Sequence, residues 1–288
     1  MNASLTTKHY LRGSDQFSML VTELVQRALT EDIGTGDLTA SLVPIIETKA
    51  TIIAREKAII CGIDWVNACF TQIDANIHIH WWIEEGEQIS PNQHLCEIRG
   101  NARALLTAER CALNFLQTLS AIATQTNQYV ARVQGTKAQI LDTRKTVPGL
   151  RLAQKYAVTV GGGFNQRIGL YDGILIKENH IAAAGSITAA LKQAFALNTQ
   201  ASIQIEVENL TELNEALSAG ASSVLLDNFS LADMRTAVHI NQGKALLEAS
   251  GNVTLHNVHQ IAETGVDRIS IGALTKNIQA IDLSMRIQ

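Results

Sequence analysis

Apolar and polar residues follow two different rhythms along the chain, and the change falls near Gly135. Before it, Asp15 to Leu29 has the spacing of an amphipathic helix, and a long helix is predicted from the N-cap Asn101 to Val133. Between them, β-branched runs predict short strands, which together indicate a small open sheet carrying helices. The strand runs are KATIIAREKAII (49–60), NIHIHWWI (76–83) and QHLCEIRG (93–100), the short helix is Trp65 to Gln72, and TEDIGTGDLTAS (30–41) is a predicted loop.

Beyond Gly135, short apolar strands alternate with amphipathic helical stretches. This alternation is typical of βα units around a parallel sheet, and it predicts an α/β barrel or most of one. Two of the helices are predicted over 211–220 and 254–265, each with a polar start and a glycine stop. The strands are QILDT (139–143), GILIKEN (173–179), SIQIEVEN (202–209), SVLLDN (223–228), ALLEASGN (245–252) and RISIGAL (268–274).

Each of these six strands ends on a polar residue or a glycine. In α/β barrels the carboxyl ends of the strands and the loops after them build the active site, so these residues share one predicted location. Single residues at such positions often only cap the next helix, which is the alternative for Asp227, Asn228, Ser250 and Asn252. Six in series favour a functional site. The end positions are Asp142, Lys177, Glu206, Asp227, Ser250 and Gly272.

The distribution of charge indicates which kind of ligand this site would bind. The chain is net acidic, at −4, yet residues 143–177 hold six basic side chains against one acid, Asp172. A local cationic excess predicts a concave site for a polyanionic small molecule and argues against a nucleic-acid surface, which needs a broad basic field. The six are Arg144, Lys145, Arg151, Lys155, Arg167 and Lys177.

Two glycine loops and two carboxylates extend this prediction. Ser250-Gly251-Asn252, before a helix predicted over 253–264, and Ile271-Gly272-Ala273, before the last helix, could present backbone N–H groups to phosphate. Glu206 and Asp227 could hold ribose hydroxyls or Mg²⁺, a hard cation bound by few carboxylates plus substrate oxygens. The alternatives are that the glycines serve only as turns and that the carboxylates pair with nearby cations.

Composition and missing motifs argue against several classes of protein. With 46% hydrophobic and 17% charged residues the chain is typical of a globular protein, and its four cysteines show no CxxC spacing, which predicts buried free thiols. There is no GxxxxGK[ST], GxGxxG, HExxH or GxSxG motif, so kinase, dehydrogenase and hydrolase interpretations lose support. The start MNASLTTKHYLRGS lacks an apolar core and no apolar run approaches a membrane span, so we expect a cytoplasmic location without membrane contact.

The chain closely resembles the quinolinate phosphoribosyltransferase family over essentially its whole length. The resemblance implies an N-terminal open-faced α/β sandwich domain over 1–116, with 276–288 packing back on it, and an incomplete, seven-stranded α/β barrel over 117–275. It also implies a homodimer or higher homo-oligomer. The matching segments are EDIGTGDLT (31–39), LLTAERCALNFLQTLSAIAT (105–124), LDTRKTVPGLRLAQKYAV with GGG (141–163), Arg167 to His180, LLDN (225–228), EASGN (248–252) and GVDRISIGALT (265–275).

The resemblance also implies a reaction. Quinolinate and 5-phosphoribosyl diphosphate give nicotinate mononucleotide, diphosphate and CO₂, with Mg²⁺ and no organic cofactor. Thr143, Arg144, Gln166, Arg167 and Lys177 would bind substrate, and Arg110 would reach in from the partner subunit. Lys145 and Lys177 would face the phosphates, and Glu206 and Asp227 would face the ribose and the metal. The 5-phosphate would be bound by two loops, Ser250, Gly251, Asn252 and Ile271, Gly272, Ala273. The predicted catalytic residues are Lys145, Lys177, Glu206 and Asp227.

One position departs from the family pattern. Many members have a His-Arg pair where this chain has Gln166-Arg167, and a glutamine can donate a hydrogen bond to a substrate carboxylate but cannot titrate. Three other functions remain open. They are a Schiff-base lyase using Lys177, a nicotinate phosphoribosyltransferase-like enzyme, and a non-catalytic relative of the kind found in molybdate-transport operons.

Overall fold

The protein divides into two compact units. The computed structural model describes residues 12–288, so the predictions made on residues 1–11 lie outside the described residues. The first unit runs to Gln125 and includes Val147–Gly161 and Asn277–Gln288, and the second comprises Thr126–Thr146 and Gly162–Lys276. The domain limit predicted at 116/117 stays a prediction, because one long helix, Ala102–Arg132, runs through it.

The first unit is built on a four-stranded antiparallel sheet. Its order is β12-β1-β5-β3, so the C-terminal strand of the chain forms an edge beside β1. In β1, Ala50 and Ile52 are fully buried and lie opposite Ile98 and Cys96 of β5, which gives this face its apolar core. A small open sheet was predicted here and is confirmed. The strands are β1 (Glu47–Ala54), β2 (Ala58–Ile59), β3 (His78–Trp81), β4 (Gln88–Ile89), β5 (His94–Asn101) and β12 (Leu283–Ile287), with β2 pairing β4 in a second, two-stranded sheet.

Two sequence predictions in the first unit need correction. The single strand expected over 49–60 is two strands, because the charged residues between Ala54 and Ala58 interrupt the apolar run. The first helix continues to Ile33 and stops at Gly34, whose φ of 53° suits glycine, so the loop after it begins later than expected. The helices of this unit are α1 (Asp15–Ile33), α2 (Ile63–Ile73) and α4 (Arg151–Val160), while α3 (Ala102–Arg132) continues into the second unit.

The second unit is a parallel sheet of six strands. Their order, β6-β11-β10-β9-β8-β7, places strands that follow one another in the chain side by side from β7 to β11. Next to β6, Phe164 forms one isolated parallel bridge with Leu141, so the predicted seventh strand is reduced to a single bridged pair. The predicted combination of a sheet domain and a parallel α/β domain is confirmed. The strands are β6 (Gln139–Leu141), β7 (Gly173–Ile176), β8 (Ser202–Val207), β9 (Ser223–Asp227), β10 (Leu246–Ser250) and β11 (Arg268–Ser270).

The helix expected at 253–264 is mostly absent. Residues after Asn252 form turns in which the Asn257 side chain accepts from the Thr254 N–H at 2.7 Å, and the helix spans only Val258–Ala262. A phosphate held by Ser250-Gly251-Asn252 would therefore meet loop backbone and no helix N-terminus. The helices of this unit are α5 (Glu178–Ala184), α6 (Ile187–Ala196), α7 (Leu210–Ser218), α8 (Leu231–Asn241), α9 (Val258–Ala262) and α10 (Ala273–Lys276).

The cysteines agree with the expectation of buried free thiols. All four thiols are buried and free, and burial raises the pKa of the Cys96 thiol to about 12. Within the part of the chain that the structure describes, none of the helices has the length and apolar character to cross a membrane.

Candidate functional site

The strand ends of the parallel sheet bring the predicted site residues of the second unit to one edge. Parallel pairing in register sets Asp227 at the end of β9 beside Ser250 at the end of β10. Ser270 of β11 likewise pairs with Leu141 of β6, so the loops after these two strands are neighbours. Parallel strand pairing thus brings together loops that lie far apart in the sequence.

Lys145 lies over the loop after β11. A Cβ atom added to Gly272 would lie 3.0 Å from the Lys145 Cδ and 3.6 Å from the Thr143 hydroxyl, so glycine lets the lysine stem approach the backbone. The Thr275 hydroxyl donates to the Lys145 carbonyl at 2.7 Å, and the Thr143 hydroxyl accepts from the Lys145 N–H at 3.1 Å. The Thr143–Lys145 segment and the Gly272 loop therefore form one cationic, glycine-bearing corner.

Arg144 and Arg167 form a cationic pair. Arg167 donates from Nη1 to the Gly173 carbonyl at 2.9 Å, which fixes the direction of its side chain. Burial, and then the charge of Arg144, lower the pKa of the Arg167 guanidinium, while Asp172 opposes this shift. Two partly buried guanidiniums within electrostatic range of one another are best satisfied by a shared anion.

Lys177 and Glu206 form an ion pair across neighbouring strands. Lys177 follows β7 and Glu206 lies in β8, and Nζ is 2.6 Å from Oε2. The Glu206 side chain is 8% exposed whereas that of Lys177 is 45% exposed, so the lysine reaches solvent and the carboxylate does not. The sequence left open whether Glu206 only balances a local cation, and this pairing is present.

Asp227 is fixed by a residue for which the sequence offered only a capping role. The Asn228 side chain donates to Asp227 Oδ2 at 2.8 Å, and its own oxygen accepts from the Asn252 amide at 3.2 Å. Asn228 and Asn252 both have left-handed backbone, with φ of 55° and 51°. Gly251 is required beside them, because a Cβ there would lie 2.1 Å from the Asn228 Oδ1. Asn228 thus links the Asp227 carboxylate to the Ser250–Asn252 loop.

Gln166 belongs to a buried polar network that the sequence did not reveal. Its Nε2 lies 2.8 and 3.0 Å from the two oxygens of Glu248 and 2.9 Å from Gln204 Oε1. Glu248 lies in β10 and is fully buried, and Gln204 of β8 also donates to it, at 3.0 Å. A period-2 count places Gln204 on the same face of β8 as Glu206, and Glu248 on the same face of β10 as Ser250, which is the signal that was available.

The remaining predicted residues differ in where they lie. Ile271 is buried, Gly272 and Ala273 are half-buried, and α10 begins at Ala273 as expected. Arg110 lies on α3 in the first unit, where its side chain is exposed. Its place in a substrate site stays a prediction.

A metal site made only of protein side chains is not found in residues 12–288, where no three His, Cys, Asp or Glu groups cluster suitably. Glu206 and Asp227 offer two carboxylates, one ion-paired and one hydrogen-bonded through a single oxygen. This donor set fits Mg²⁺ that arrives with substrate phosphates, since Mg²⁺ typically takes one or two carboxylates plus phosphate and water oxygens.

Comparisons with known proteins agree across the chain. Two family models match: "Quinolinate phosphoribosyl transferase, N-terminal domain" over residues 37–120 and the C-terminal domain of the same family over residues 122–286. A probable carboxylating nicotinate-nucleotide pyrophosphorylase of Bacillus subtilis is 40% identical, covering 92% of both chains. A decarboxylating quinolinate phosphoribosyltransferase of Nicotiana glauca is 38% identical over 92% of this chain and 81% of its own length.

The fold comparison gives the same result. The solved nicotinate-nucleotide pyrophosphorylase of Francisella tularensis superposes with a TM-score of 0.92 and 51% identity, covering 94% of this chain and 97% of that one.

Proposed function

Because this chain belongs to the quinolinate phosphoribosyltransferase family, we propose that the strand-end residues of its parallel sheet carry out the reaction of that family. The reaction transfers the phosphoribosyl group of 5-phosphoribosyl diphosphate to quinolinate with decarboxylation, in de novo NAD biosynthesis. Its products are nicotinate mononucleotide, diphosphate and CO₂. The observation that carries the assignment of roles is the Arg144–Arg167 pair.

Quinolinate is a dicarboxylate, and the arginine pair matches its charge. A guanidinium presents a planar fork that binds a carboxylate through two hydrogen bonds. With Arg167 oriented by the Gly173 carbonyl and Arg144 close enough to lower its pKa, an added dicarboxylate relieves the repulsion between them. Arg144 and Arg167 are therefore the proposed quinolinate ligands, with Lys177 at the edge of the same site.

The phosphorylated sugar matches the other corner. Lys145 above Gly272 offers a cation beside loop backbone, and Ser250–Asn252 offers a second loop for phosphate oxygens. Glu206 and Asp227 are proposed to face the ribose hydroxyls. When Mg²⁺ is bound with the substrate, it would neutralise diphosphate charge, held by Asp227 or Glu206 together with phosphate oxygens.

The proposed chemistry needs no protein nucleophile. The C1′–O bond to diphosphate breaks with its electron pair leaving on diphosphate, and the quinolinate nitrogen forms the new bond to C1′ of the cationic ribose. The carbon–carbon bond to the carboxylate at ring position 2 then breaks, CO₂ leaves, and the ring carbon takes a proton from water. Lys145 and Lys177 stabilise the departing diphosphate, and a carboxylate near the ribose stabilises its positive charge.

Assembly and location go beyond what the relatives' names describe. We infer a homodimer, or a higher homo-oligomer, in which Arg110 of one subunit completes the site of another. A cytoplasmic location stays a prediction from the sequence.

One assay tests the proposed function directly. CO₂ release from carboxyl-labelled quinolinate should require both 5-phosphoribosyl diphosphate and Mg²⁺. Consumption of nicotinate in its place would support a nicotinate phosphoribosyltransferase-like enzyme, and trapping of a keto substrate on Lys177 by borohydride would support a Schiff-base lyase. Tight binding of either substrate without turnover would indicate a non-catalytic relative.

A further inference from the structure

Glu248 is a fully buried carboxylate in the middle of β10 to which the reaction assigns no role. Both of its oxygens accept hydrogen bonds from amide groups, those of Gln166 and Gln204, at 2.8–3.0 Å. Across residues 12–288, no Lys, Arg or His forms an ion pair with it. A buried carboxylate without a cation is costly, so a protein that keeps one at this place gains something other than packing.

The carboxylate fixes the orientation of the Gln166 amide. A glutamine amide can turn over by 180°, exchanging its donor and acceptor ends, but only its NH₂ end can donate to the two Glu248 oxygens. The Gln166 NH₂ group must therefore face Glu248, and it lies within 3.0 Å of three oxygens, those of Glu248 and Gln204 Oε1. Its two N–H groups are thus engaged inside the protein.

The opposite end of the same amide holds Arg167. With the NH₂ group turned to Glu248, Gln166 Oε1 accepts from the backbone N–H of Arg167 at 2.9 Å. A reversed amide would set two donors against one another there and break this contact. The side chain of Arg167 is then fixed by Nη1 to the Gly173 carbonyl, next to Arg144.

We propose that Glu248 is a positioning residue that, through the Gln166 amide, holds Arg167 in place for the quinolinate carboxylates, and that Gln166 does not itself bind the substrate. This inference rests on the proposed role of Arg167. It replaces the direct hydrogen bond from Gln166 to quinolinate that the sequence suggested.

The test is Glu248→Gln, which keeps the shape of the side chain but makes it both donor and acceptor. The Gln166 amide then loses its fixed orientation, and KM for quinolinate should rise about tenfold while KM for 5-phosphoribosyl diphosphate changes less than about twofold. An unchanged KM for quinolinate, or an equal rise for both substrates, would overturn the proposal. Since the unsubstituted chain is assayed alongside, its own inactivity would refute the proposed function and is a separate outcome.

A double-substitution cycle tests whether the effect passes through Gln166. In a Gln166→Met background, which has no amide to orient, Glu248→Gln should change KM for quinolinate by less than about twofold. A full tenfold effect in that background would show that Glu248 acts by another route and would contradict the proposal.

A matched control separates positioning from loss of stability. Asn241 is another buried amide of this unit, bonded to the N–H and carbonyl of Ala245 before β10 begins, at the opposite end of that strand from Ser250. Asn241→Asp should lower the unfolding temperature but leave both KM values unchanged.

A second variant tests the proposal if Glu248→Gln does not fold. Gln204→Met removes one hydrogen bond to Gln166 and one to Glu248, so KM for quinolinate should rise about threefold. No rise in this KM would overturn the proposal.

Discussion

Among single residues, the proposed quinolinate site depends on two arginines. Arg167 donates to the Gly173 carbonyl and follows Gln166 in the chain, and the charge of Arg144 lowers the pKa of Arg167. DTRKT marked Arg144 within a basic segment of the sequence, but sequence spacing could not show that it would lie beside a residue 23 positions later. That proximity is a result of folding.

Arg144→Ala should therefore be costly for catalysis and mild for stability. Removing one preorganised charge donor lowers kcat by about 100- to 1,000-fold, or about 2.7–4 kcal/mol of transition-state stabilisation. Steady-state kinetics measures this. Arg235→Ala, on an exposed position of α8, is the matched control and should keep full activity. Near-normal turnover in Arg144→Ala would remove Arg144 from the site.

Gln166 should make the pH profile of this enzyme flatter near neutrality than that of a histidine variant. An imidazole titrates near pH 6.5, and beside the Glu248 carboxylate its charged form would be favoured, so its pKa would rise. In Gln166→His, activity should consequently change with pH through the neutral range, where the glutamine enzyme changes little. Log kcat/KM measured from pH 5.5 to 8.5 tests this; identical profiles would contradict it.

At the scale of elements, the loop after β10 combines strained backbone with close side-chain contact. Gly251, at φ 97°, lies against Asn228, which in turn fixes Asp227. The sequence predicted a helix from Val253, but the helix begins only at Val258. Asn252 enters the left-handed region and Asn257 closes a turn, so local side-chain hydrogen bonds displaced the first turns of the helix.

Gly251→Ala should destabilise the protein and weaken sugar-phosphate binding together. Its Cβ would lie 2.1 Å from Asn228 Oδ1, and relieving this clash must move Asn228 away from Asp227. Gly220→Ala is the matched control: Gly220 has a similar φ of 87° with nothing within 4 Å of the added atom. The control should lose only about 1–2 kcal/mol of unfolding free energy, the cost of left-handed backbone.

Urea unfolding and KM for 5-phosphoribosyl diphosphate distinguish the two glycine variants. Gly251→Ala should be less stable than Gly220→Ala and should alone raise that KM. If the two variants behave alike, the contact between Gly251 and Asn228 has no part in binding.

For the whole molecule, the proposed homodimer predicts that Arg110 of one subunit acts in the site of its partner. Arg110 belongs to the first unit, and Lys177 and Glu206 to the second. If Arg110 serves the site of a partner subunit, two inactive variants can complement one another. Mixed subunits of Arg110→Ala and Lys177→Ala should recover about a quarter of full activity, because half of the dimers are mixed and each has one intact site of two.

The control for this experiment is a pair of variants in the same unit. Lys177 and Glu206 are proposed to serve the same site of one subunit. A mixture of Lys177→Ala and Glu206→Ala subunits therefore has no intact site and should recover no activity. If the mixture of Arg110→Ala and Lys177→Ala subunits is no more active than either variant alone, Arg110 does not act in a site shared between subunits.

Local sequence patterns were enough to predict the two kinds of sheet, the polar strand ends and the family. Period-2 runs and βα alternation depend on local pattern, and DTRKT, LLDN and EASGN are contiguous segments, so neither requires knowledge of distant contacts. Such local information placed Lys177, Glu206 and Asp227 at strand ends, where the structure has them.

Which side chains contact one another could be read only from the folded chain. The network of Glu248, Gln166 and Gln204 joins positions separated by 38, 44 and 82 residues, and the bond between Asn228 and Asn252 spans two strands. Hydrogen bonds of this kind depend on distances below about 3.5 Å and on donor direction, which strand register and curvature set and sequence spacing does not. Local patterns therefore predicted the candidate residues, whereas folding determined which side chains contact one another.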